Sequence, residues 1–109
     1  MPTYNKLVRD KIPAIIELTG KSCRTKLLDD EQYARELNTK LKEEMSEYFG
    51  ANHAGEALEE LADVLEVIRA LAAVNGSTWD ELEALREKKA EQRGGFQERV
   101  YLIDVDDEA

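Results

Sequence analysis

Two stretches of about twenty residues, 30–49 and 56–74, carry apolar side chains at the helical period and are separated only by the loop 50–55. So short a connection makes the two helices antiparallel neighbours that bury their apolar faces against each other. Asp29 with Gln32 three residues on is a capping-box pattern that opens the first of them, and Gly50 is placed as its C′ glycine. A shorter helix over 11–19 is marked by Pro13 near its start and Gly20 just past its end. A fourth helix begins at Thr78 with Glu81 and ends at Gly94-Gly95, and the third ends at Asn75-Gly76. Lys21 to Leu28 has no helical period and is expected to be extended. Phe96 to Val105 is rich in Val, Ile, Leu and Tyr and could make a short C-terminal strand, with Phe96 in the core; Asp104 to Glu108 is a solvated acidic end. The expectation is an all-α fold, a small bundle of about four helices in one domain over 1–109. Its radius of gyration should be near ~13 Å if compact.

Charge narrows the function classes. The chain has 24 acidic against 15 basic residues, for a net charge of -9. A polyanion or an anionic membrane surface needs a basic face, so no nucleic-acid polymer and no membrane is expected as a partner. No apolar run approaches the ~20 residues of a membrane span. The opening MPTYNKLVRDKIP lacks the apolar core of a secretory signal, and a cytoplasmic location is expected. Cys23 is the single cysteine and His53 the single histidine, which excludes a disulfide framework, a cysteine-rich zinc site and any two-histidine metal site. His53 lies in the interhelix loop and is read there as a loop residue rather than a base. No Walker A loop and no G-x-G-x-x-G occurs, so phosphates are not held by a glycine-rich cradle.

The informative residues are acids on apolar faces. With Glu44 as origin and 100° per residue, Tyr33, Leu37, Leu41, Met45 and Tyr48 fill an arc of about -20° to 140° that contains Glu44 itself. Glu47 falls on its margin at about -60°, and Glu43 outside it at about -100°. With Glu60 as origin on the next helix, Leu61, Val64, Leu65, Val67, Ile68 and Leu71 fill the same arc, and Asp63 takes the position of Glu47. Antiparallel packing brings both acidic pairs toward one spot. Ionised carboxylates at a half-buried seam are costly unless paired or coordinated. The bases read near these faces are few: Lys40 one turn before Glu44, Lys42 pointing outward, and Arg69 on the far side of its helix. Hard oxygen ligands with room for water suit Mg²⁺ or Mn²⁺.

Glu43-Glu44-x-x-Glu47 followed by Glu60-x-x-Asp63 resembles the motif of the MazG-like, all-α nucleoside triphosphate pyrophosphohydrolases, relatives of the phosphoribosyl-ATP pyrophosphohydrolases. Tyr4-Asn5-Lys6-Leu7-Val8-Arg9-Asp10-Lys11-Ile12-Pro13 and Arg93-Gly94-Gly95-Phe96 resemble one branch of that superfamily, so the likeness spans the whole domain. The resemblance implies Mg²⁺ held by Glu44, Glu47, Glu60 and Asp63, with Glu43 and Glu44 in catalytic positions. It implies cleavage between the α and β phosphates to a monophosphate and pyrophosphate, in nucleotide-pool house-cleaning. Asn5, Lys6 and Arg9 of the lead-in, and Lys89 and Arg93 at the end of the fourth helix, are the candidate substrate contacts. Phosphoribosyl-ATP hydrolysis has the same chemistry, and a non-catalytic acidic module for protein contact is the reading from another class. A site built from two helices in so small a domain also implies a homo-oligomer, a dimer or tetramer.

Overall fold

A computed structural model describes residues 2–107, so Glu108 of the acidic end lies outside the described residues. Four helices follow in order: α1 Ile12–Leu18, α2 Asp30–Phe49, α3 Ala54–Val74 and α4 Trp79–Arg93. The fold is all-α. α2 and α3 form an antiparallel hairpin, α4 packs on α3, and α1 packs on no other helix.

Local chemistry sets the ends. The Asp29 carboxylate accepts from the Gln32 N–H at 2.8 Å and opens α2; Thr78 Oγ1 accepts from the Glu81 N–H at 3.1 Å and opens α4. α3 begins at Ala54, two residues before the expected start, because the imidazole Nδ1 of His53 accepts from the Glu56 N–H at 3.2 Å. His53 is therefore a helix cap. Gly50 ends α2 at φ -88°, so no left-handed turn is needed there. Gly76 (φ 74°) and Gly94 (φ 82°) do take the left-handed region where α3 and α4 stop.

The core is thin. Leu37, Val67 and Ala72 are its buried apolar side chains, and Glu44 is buried with them. The second half of α4, Arg86 to Arg93, is nearly all polar and offers no apolar stripe to hold it down. The result is elongated, 66 × 35 × 24 Å, with a radius of gyration of 19.0 Å instead of the compact value expected.

The C-terminal segment corrects two expectations. Among the described residues no strand forms over 96–105, because a lone extended segment has no neighbour with which to exchange backbone hydrogen bonds. Phe96 is 95% exposed, not in the core, and Val100, Tyr101, Leu102 and Ile103 are exposed as well. No helix of the described residues is long and apolar enough to cross a membrane.

Candidate metal centre

Hairpin packing places the inward acids of α2 and α3 across one seam. Glu44, Glu47 and Glu60 each offer a carboxylate oxygen within 4.8 Å of the others. Two oxygens on one cation at ~2.1 Å lie no more than ~4.2 Å apart, so a small rotamer change or a bridging water would bring this set within reach of one such cation. Glu44 is the anchor. It is only 7% exposed, a depth at which a carboxylate is rarely left without a partner. Lys40, one turn earlier, approaches its Oε1 at 3.3 Å. Its Oε2 is buried with no hydrogen-bond partner, and so is Oε2 of Glu60. Burial pushes the Glu44 carboxyl above its ordinary value; Lys40 opposes this, while the charges of Glu47 and Asp63 add to it.

The other expected site residues distribute around this trio. Asp63, expected as the fourth ligand, lies close enough for its charge to act on Glu44, but its Oδ1 accepts from Arg9 Nη2 at 2.7 Å. Glu43 is not in the trio; it shares Lys40 with Glu44, at 3.9 Å, and lies 4.0 Å from Lys6. The lead-in thus supplies two cations that the helical wheels could not count. Lys6 also sits 5.7 Å from the Tyr4 ring centroid. Asn5 is exposed, with a left-handed backbone at φ 44°. Lys89 and Arg93 are exposed on α4, which packs on α3 alone, and neither makes an ion pair with the acids in the single chain.

The charge balance follows. Lys6, Arg9 and Lys40 pair with Glu43, Asp63 and Glu44, while Glu47 and Glu60 have no cation in ion-pair range among the described residues. The seam is left two negative charges from neutrality, the charge of one divalent cation. Carboxylate oxygens alone, on two rigid helices, suit a hard cation that keeps part of its water shell.

Comparison with known proteins gives little beyond this geometry. The chain is 39% identical over 54 residues to an uncharacterised protein of Mycolicibacterium smegmatis (strain ATCC 700084 / mc(2)155), a match that covers 50% of this chain and 55% of that protein. The chain thus spans about half the length of the curated relative it matches. No family model matches the chain. No solved structure matches it either.

Proposed function

We propose that the protein is a Mg²⁺-dependent nucleoside triphosphate pyrophosphohydrolase of the MazG-like kind, acting in the cytoplasm on nucleotides and not on nucleic-acid polymers. The observation that carries the reading is the pair of buried, unpartnered carboxylate oxygens of Glu44 and Glu60, on facing helices, in the same trio as Glu47. Burying such atoms without a partner is costly, and a cation between them offsets that cost. Glu44, Glu47 and Glu60 would hold the metal, with Asp63 at its edge. Mg²⁺ or Mn²⁺ bound there supplies charge neutralisation for the phosphates and an activated water. The chain's own part is positional. Lys40 holds one oxygen of Glu44 in place, and the two helices fix the acids at a common seam. Glu43, outside the trio and within reach of two lysines, would orient the attacking water. Arg9 and Lys6 border the acids and are the lead-in's donors for phosphate oxygens. Lys89 and Arg93, exposed on α4, are the further candidate donors.

A second copy is part of the reading. A compact chain of 12.4 kDa exposes about 6,100 Å². This one exposes 10142 Å², an excess of about 4,000 Å² per chain, more than the roughly 1,000–2,500 Å² that each partner of an obligate homo-oligomer commonly buries. Much of the excess is apolar. It includes Leu58, Leu61 and Leu65 along one face of α3, and the segment from Val100 to Ile103.

The test is a panel of NTPs and dNTPs assayed for pyrophosphate release, with and without Mg²⁺. Release that depends on Mg²⁺ supports the reading. If no substrate releases pyrophosphate and millimolar Mg²⁺ leaves the melting temperature unchanged, the acidic seam is a protein-contact surface instead.

A further inference from the structure

We propose that Arg9 is a latch on the metal centre: its guanidinium holds Asp63 out of the ligand set until a divalent cation arrives, and is then released toward the phosphates. This inference rests on the metal-centred reading above. Three observations lead to it.

Asp63 belongs to the seam by position, and its charge reaches Glu44, yet its oxygen is taken by Arg9 at 2.7 Å. The two residues are 54 apart in sequence, so the pair is a tertiary contact and not a helical-neighbour pairing. The Arg9–Asp63 pair and the weaker Lys6–Glu43 pair at 4.0 Å are the ion pairs that join the lead-in to the hairpin. α1, which follows the lead-in, packs on neither α2 nor α3. The lead-in is therefore fastened across the mouth of the seam by charges on the same acidic face that a cation would use. Finally, Glu44 is more than nine-tenths buried and its Oε2 has no partner, so a cation entering the trio finds a prepared anchor next to Asp63.

A divalent cation at the trio attracts the Asp63 carboxylate and repels the Arg9 guanidinium. Both effects break the pair. Asp63 turns to the cation, and Arg9 is left beside the metal with its forked donors free. A phosphate or pyrophosphate group on that metal is the ligand such a fork fits, through two parallel N–H···O bonds. Arg9 therefore works against metal binding in the free protein and for anion binding once the metal is in place. An arginine that only tied the lead-in down would show neither effect.

The experiment is calorimetric titration of Mn²⁺, without nucleotide, into the native chain and into Arg9→Gln, Asp63→Asn and the double variant. Arg9 and Asp63 are both surface-accessible, and far-UV circular dichroism checks that helix content is kept. Arg9→Gln should bind Mn²⁺ about two- to fivefold more tightly than the native chain, the scale of a partly exposed ion pair. Asp63→Asn should bind about tenfold more weakly. The double variant should bind only slightly more tightly than Asp63→Asn, because without Asp63 there is nothing to latch and only the bare charge of Arg9 is removed. With Mn²⁺ saturating, inorganic pyrophosphate should bind Arg9→Gln more weakly than the native chain. The latch is overturned if Arg9→Gln leaves Mn²⁺ affinity unchanged or lowers it, or if it tightens binding equally in the Asp63→Asn background, which is the signature of a bare neighbouring charge. It is overturned together with the metal-centred reading if the native chain takes up no Mn²⁺.

Discussion

Lys40 Nζ lies 3.3 Å from Glu44 Oε1, one helical turn away, while the other oxygen of the same carboxylate is buried and unpartnered. One lysine thus half-neutralises a group that the α2–α3 interface has removed from water. Burial outweighs the lysine, and the Glu44 carboxyl titrates above its ordinary value of 4.5.

The sign of the resulting pH effect is fixed. Because its pKa is raised on folding, Glu44 binds more protons in the native than in the unfolded chain between 4.5 and its raised value. Its contribution to stability is present below that window and lost as pH rises through it. Glu47 and Asp63 strengthen the effect and Lys40 weakens it. Thermal melts of the metal-free protein should therefore diverge from those of Glu44→Gln as pH is raised above 4.5, with the variant becoming the more stable. Parallel curves would show that Glu44 is not desolvated.

Substitution of the ligands should separate function from fold. Glu60→Gln keeps the shape of the side chain and removes its charge. It should lower activity at moderate Mg²⁺ by about a hundredfold or more. The melting temperature of the metal-free variant should hold or rise, since repulsion across the seam falls. Steady-state kinetics with a Mg²⁺ titration tests this; native turnover in the variant would remove Glu60 from the site.

Arg93 is the last residue of α4, followed by Gly94 in the left-handed region. If it contacts phosphate in the proposed reaction, Arg93→Lys should cut kcat/KM roughly tenfold, the loss of one charge-assisted hydrogen bond of ~1.5 kcal/mol. Mg²⁺ affinity of the free protein should stay the same. An unchanged kcat/KM would leave Arg93 as the basic last turn of its helix and nothing more.

The exposed apolar surface predicts the oligomeric state. Sedimentation equilibrium should give a mass of at least twice the 12.4 kDa chain. Leu61→Asp, on the uncovered face of α3, should shift the population toward monomer. A monomer in the native protein at micromolar concentration would contradict the area argument.

The helices were legible where their ends are written in local chemistry. Asp29 with Gln32 and Thr78 with Glu81 are capping boxes, and both caps form. The start of α3 was misread because a histidine ring, not a hydroxyl or carboxylate, does the capping. The acids of the trio were visible because a helical wheel places an inward side chain from sequence alone. The pairing of Lys6 with Glu43 and of Arg9 with Asp63 was not, since no period links a lead-in to helices that follow it 37 and 54 residues on. The strand over 96–105 was inferred from composition, but β-propensity records how a residue suits a sheet, and the single chain offers no sheet to join.

The most direct test of the account is hydrolysis of a nucleoside triphosphate in ¹⁸O-labelled water with Mg²⁺, followed by ³¹P NMR. The account predicts one monophosphate and one pyrophosphate per turnover, with the label on the monophosphate because water attacks the α phosphorus. It predicts no reaction without a divalent cation and almost none with Glu60→Gln. A diphosphate with labelled orthophosphate, or no turnover of any triphosphate at millimolar Mg²⁺, would contradict it.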